Sequence, residues 1–248
     1  MNITRTSNPT LGENAFTREP AATNGEAMTL KGAINKTIIL FAILLLAAIV
    51  SWKFTMAGNF SSSVLIIGGA IGGAVVAMII HFARKSAPIT APIYAVFEGL
   101  VLGAISSLFE VEYSGIVFQA IALTLLVFGL MLFMYKTGIL KASNKFIKGV
   151  FVATAAIGIF YLVSFIASFF TSAISDYLFA NPLIGVIISI IIVVVAALNL
   201  ILDFNAIESA ANYNSPKYME WYSGFALMVT LVWLYIEILR LLSYLRRD

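Results

Sequence analysis

The chain has no cysteine and a single histidine, His81, among its 248 residues. The first absence removes disulfides, thiolate nucleophiles and cysteine-ligated metals. The second rules out a histidine-rich metal site or an HExxH protease. Charge is scarce too, at 11% of residues where a soluble domain carries roughly 25%. So few charges cannot cover a water-facing surface. Neither a GxSxG elbow nor a GxxxxGK[ST] loop occurs, and residues 218–245 hold no lysine that could carry a retinal. The expectation is a protein that is not an enzyme, with no cofactor and no metal site.

What the chain has in abundance is apolar residues, 61% of the total, for a mean hydropathy of +0.99. A helix needs about 20 mostly apolar residues to cross the hydrocarbon core. Seven runs qualify, near 34–56, 63–83, 88–109, 114–135, 146–170, 182–204 and 218–245. Barrel strands alternate over about 10 residues instead of staying apolar for 20. The class is therefore all-α, a polytopic protein whose partner is the lipid bilayer. Residues 1–33 are rich in Asn, Thr, Glu and Ala without apolar periodicity and read as a disordered polar tail. Residues 34–248 form the membrane domain. No cleavable signal peptide is expected, because the first apolar run follows some 33 polar residues and is long enough to span.

The net charge of +3 reflects loops and tails, so it is read as topology and not as nucleic-acid binding. With the N-terminus in the cytoplasm, eleven Lys and Arg fall on that side and four on the other. The Arg246–Arg247 pair dissents. The expected location is the bacterial cytoplasmic membrane, N-terminus inside.

Gly68/Gly72, Gly69/Gly73 and Gly99/Gly103 repeat at four-residue spacing. Such spacing lets helix backbones approach closely where lipid gives no hydrophobic drive for association. Acids inside the runs are the sharper signal, since a charge at mid-helix costs roughly 2.5–3.5 kcal/mol on insertion scales. Glu98 is deepest, one turn after Tyr94, and is either a protonated acid bonded to a neighbouring helix or part of an ion path. Asp203 follows Asn199 by one turn and is either an interfacial acid in water or a buried one that holds and releases a proton. Glu208 lies further out, where solvation is the usual fate. Glu237 can pair with Arg240 three residues on. Arg84, with Lys85, ends the second run, as an inside anchor or as the nearest base for buried carboxylates.

APIYAVFEGLVLGAISS in the third run, LDFNAIE closing the sixth and LYIEILRLL in the seventh resemble the Bax inhibitor family of seven-helix membrane proteins, its bacterial branch in particular. The resemblance covers nearly all of residues 34–245. It implies a seventh helix at the centre of the bundle, wrapped by the other six. It also implies a proton-sharing pair of acids on the sixth and seventh helices, near a base of the second, acting as a pH-dependent latch on a calcium leak. Asp203 and Glu237 match the acids and Arg84 approximately matches the base. The chain departs in having Glu at the seventh-helix position and Glu98 where an apolar residue is common. It also spaces the two acids 34 positions apart. A plain hairpin turning near Asn214–Pro216 would set Asp203 level with about residue 226 and leave Glu237 about 15 Å away along the axis. Either an extra turn near 213–222 closes that gap, or Glu98 is the partner of one acid.

Three functions follow. One is a pH-sensitive cation leak, with Ca²⁺ or protons in transit, set by Asp203 with Glu237 or Glu98. Another is an accessory protein that modulates a membrane protease or other membrane assembly, its acids structural. The third is a proton-coupled transporter, disfavoured because no internal repeat is visible and the only prolines paired within a run, Pro88 and Pro92, sit at its start.

Overall fold

The computed structural model describes residues 26–58, 61–171 and 182–246. Among them are seven long helices. They are α1 Leu30–Met56, α2 Ser62–Phe82, α3 Ala87–Glu112, α4 Ile116–Lys136, α5 Asn144–Ser168, α6 Pro182–Asn212 and α7 Met219–Leu245. All seven are long and apolar enough to cross a membrane. A short 3₁₀ turn, Arg84–Ser86, joins α2 to α3.

The helix ends differ from the apolar runs where capping and propensity outlast hydrophobicity. α1 starts at Leu30, four residues early, because the Thr29 hydroxyl accepts from Gly32 N–H at 2.9 Å and caps the first turn. Residues 26–33 are thus ordered and not part of a disordered tail. Residues 1–25 of that expected tail, and Arg247, lie outside the described residues. α6 runs eight residues past the expected end at 204, because Ala206, Glu208, Ala210 and Ala211 favour helix once the apolar stretch is over. Asp203 is therefore within a helix.

The chain forms two compact units, each built from discontinuous stretches. In the unit of residues 14–114 and 206–229, α3 packs against both α1 and α2. Its Gly99 and Gly103 face α1, where a β-carbon would come within 2.7 Å of Ala47 Cβ and 2.8 Å of Ser51 Cβ respectively. Ser51, fully buried, donates to the carbonyl of Leu100 at 2.7 Å. On the other side Gly69 and Gly72 admit Val101 and Phe97, each within 2.6 Å of the missing β-carbon. Gly68 has nothing within 4 Å among the described residues, so only part of the repeated glycine pattern serves contact there. The first turns of α7 belong to this unit, with Phe225 edge-on to Tyr94 at 4.8 Å between ring centres.

In the unit that includes residues 115–205 and 230–248, Phe128 and Tyr135 of α4 pack on Phe204 of α6, both at 5.7 Å. Ile147 and Val150 of α5 enclose Leu202. Gly185 near the start of α6 lies against the Tyr244 ring near the end of α7. α7 is the most buried helix, with 67% of its most apolar stretch enclosed against 6% for α5. It supplies core, whereas α5 turns most of its surface outward.

Candidate functional site

Asp203 is completely buried, with water excluded from its whole side chain. The reading of it as an interfacial acid in water does not hold. One turn earlier Asn199, 2% exposed, donates to Thr154 Oγ1 of α5 at 2.8 Å and to the carbonyl of Val195 at 2.9 Å. That polar bridge ties α5 to α6 beside the acid. Glu208, a turn further along α6, is exposed.

Glu237 is 1% exposed and lies in a network of its own. The Tyr161 hydroxyl of α5 donates to its Oε1 at 2.5 Å. Arg240 Nη1 donates to the Tyr161 hydroxyl at 2.7 Å and reaches both carboxylate oxygens at 3.4 Å. The guanidinium also stands 5.3 Å over the Tyr161 ring. The local Glu237–Arg240 pairing foreseen from their three-residue spacing is present. Tyr161 was not foreseen, because nothing in the sequence links it to a helix 76 positions away. Gly185 packs against Tyr244, so along the antiparallel α6 and α7 Glu237 falls near residue 192 of α6. Asp203 is eleven residues beyond that level, about 16 Å along the axis. No extra helix closes the gap, since only residues 213–218 separate α6 from α7. This structure does not bring Glu237 to Asp203.

Glu98 lies in the other unit, part-buried, and accepts a hydrogen bond from Tyr94 one turn before it. Its Oε2 sits 3.7 Å from where a β-carbon of Gly73 would be, at the same distance as the Tyr94 ring. The missing side chain of Gly73 thus leaves room for both polar groups against α2. Arg84 follows α2 in the 3₁₀ turn, its guanidinium 5.5 Å over the Tyr222 ring.

Glu220, in the first turn of α7, was also missed. It is 1% exposed and accepts from Thr29 N–H at 3.0 Å and from the Thr29 hydroxyl at 3.1 Å, with Lys217 Nζ at 3.5 Å. Gly32 makes the site possible, because a β-carbon there would land on the carboxylate. Met28 N–H bonds Ser215 O at 2.7 Å and Lys217 N–H bonds Glu26 O at 3.0 Å. Residues 26–29 are thereby clasped to the α6–α7 turn. The sequence signal was weak: an acid three residues after Lys217 at a helix start, where the helix dipole favours it.

Among the described residues no group of three His, Cys, Asp or Glu converges as a metal site would require. No curated protein and no solved structure matches the chain. The family model described as Bax inhibitor 1 like matches residues 8–247. Seven helices of membrane length and a match over nearly the whole sequence show that the chain belongs to the Bax inhibitor 1 like family of integral membrane proteins.

Proposed function

We propose that the chain is a pH-sensitive leak for cations, Ca²⁺ above all, set by the proton on Asp203, in a bacterial cytoplasmic membrane with the N-terminus inside. The observation that carries this is the complete burial of Asp203 within a membrane-length helix. A carboxylate so placed is costly when ionised unless another charge answers it. Its proton therefore couples to how the helices pack. Protonated, Asp203 is neutral and hydrogen-bonds within a closed arrangement. Ionised, it calls for a basic side chain or an entering cation. A site of so few oxygens falls short of the 6–8 that hold Ca²⁺ tightly, and loose binding suits passage. Glu237, already answered by Tyr161 and Arg240, takes a structural part in this scheme.

That same satisfied network favours the accessory-protein reading for Glu237, and one assay separates the two. Ca²⁺ uptake into proteoliposomes is followed from about pH 6 to about pH 8, where folded proteins are generally most stable. Uptake should rise with pH in the wild type, stay low and flat in Asp203→Asn, and keep its pH profile in Glu237→Gln. No uptake above empty liposomes, or an unchanged profile in Asp203→Asn, would leave the acids structural and the accessory reading in place.

A further inference from the structure

Beside the Glu237 network, within the unit that holds it, lies a cavity of about 190 Å³. Its lining includes the polar residues Tyr161, Ser164, Ser189, Arg240 and Tyr244 beside Ile188 and Ile192. Glu237 does not line it. Among the lining residues the charged one is Arg240, the positive member of the Glu237–Arg240 pair, and the others bring hydroxyl donors.

Several of those donors are uncommitted. Arg240 places only Nη1 on Tyr161 and Glu237. Among the described residues Nε and Nη2 have no partner, although the side chain is 38% exposed. The Ser164 hydroxyl oxygen is buried and likewise has no partner among the described residues. Ser189, 1% exposed, presents a second hydroxyl from α6. A buried hydroxyl left unmatched costs free energy unless something fills the space. The helix dipoles do not decide the sign, since the start of α6 and the ends of α5 and α7 meet here and oppose one another. The guanidinium decides it. Its free edge is a planar fork suited to two oxygens of one anion, while hydroxyls on α5 and α6 approach from other sides. A carboxylate offers two oxygens to that set, and a tetrahedral anion offers more.

We propose that this cavity binds a phosphate-type oxyanion through the free edge of Arg240 and the hydroxyls of Ser164 and Ser189. The same chemistry could reach it as the phosphate of an anionic lipid or as a free anion. The wall is close to helix ends, at Ser168 of α5, Gly185 of α6 and Tyr244 of α7.

The full-length protein in nonionic detergent would be unfolded thermally with sodium phosphate against sodium chloride at matched ionic strength. Separately, it would be unfolded in nanodiscs of phosphatidylcholine with and without phosphatidylglycerol. Two variants test the site. Arg240→Gln with Glu237→Gln removes the guanidinium without leaving a buried carboxylate unpaired. Ser164→Leu fills the space and leaves the ion pair alone. Saturable stabilisation by phosphate, weakened about tenfold or more in both variants, as loss of charge-assisted bonds requires, identifies the free anion. Stabilisation by phosphatidylglycerol alone, lost in both variants, identifies the lipid phosphate. Absence of stabilisation in both arms overturns the proposal, and so does stabilisation that persists undiminished in both variants.

Discussion

The ring of Tyr244 fills the space that a β-carbon at Gly185 would occupy, its nearest atom 2.7 Å from that point. Only glycine permits this approach, and the contact fixes how α6 and α7 run past each other. Because the helices are antiparallel around a six-residue turn, the register extends to the acids. Asp203 and Glu237 are both buried, yet they are about three helical turns apart. Two acids so separated are out of hydrogen-bonding reach of each other, and each has to be answered by its own surroundings.

For Glu237 that answer is Arg240, and its loss should be expensive. Arg240→Gln leaves a carboxylate that is 1% exposed with Tyr161 as its one remaining partner among the described residues. Breaking a fully buried pair costs roughly 3–5 kcal/mol. Arg240 is partly exposed, so a loss of about 2 kcal/mol is expected. The double variant Arg240→Gln/Glu237→Gln should recover most of it, since no charge is then stranded. Unfolding in detergent checks this, and equal destabilisation of the single and double variants would show that packing, not charge, holds the pair together.

The glycines give a sharper contrast. Gly99→Leu drives a side chain into α1 at Ala47 and the backbone carbonyl of Leu44, whereas Gly68→Leu meets nothing within 4 Å among the described residues. Overpacking typically costs 1–3 kcal/mol, and a backbone contact belongs at or above the top of that range. Gly68→Leu should be neutral or gain up to about 1 kcal/mol from helix propensity. Melting temperatures of the two proteins, measured side by side, decide it. Similar losses would mean that Gly68 too faces a partner.

These cases show what could be read in advance. The seven spans were legible because a bilayer demands about 20 apolar residues whatever the packing. The end of α6 was not, since apolar character reports on the membrane while Ala206 to Ala211 continue the helix for reasons of backbone propensity. The Glu237–Arg240 pair was legible as neighbours on one helix. Tyr161, Thr154 and the Glu220 clasp were not, because each joins residues far apart in sequence and no periodicity records which helix faces which. Gly69 and Gly68 look alike in sequence, and only the crossing of α2 and α3 makes one of them necessary.

The clasp gives the last test, and its pH dependence has a definite sign. Besides the backbone bonds of Met28 and Glu26, two side-chain interactions hold residues 26–29: the buried Glu220 bonds to Thr29, and the exposed Lys217–Glu26 pair at 3.3 Å. The hydrogen bond to Glu26, with the charge of Glu220 beside it, raises the Lys217 ammonium above the usual lysine range. A raised lysine contributes fully below its ordinary pKa, about 10.4, and that contribution is lost only as pH rises through the higher folded value. On the lysine side the pair should therefore act unchanged across neutral pH and weaken as the ammonium deprotonates in strong alkali. Its contribution should also be small, because exposed pairs are screened by solvent. Bonds to the buried carboxylate are worth more, roughly 1.5–3 kcal/mol for a charged acceptor. Glu220→Ala should accordingly lower the hydrogen-exchange protection of the Met28 and Thr29 amides about tenfold or more. Lys217→Met should change it little, and equally at about pH 6 and about pH 9. If Lys217→Met frees these amides as fully as Glu220→Ala does, the surface ion pair holds the segment and the buried bonds to Glu220 are secondary.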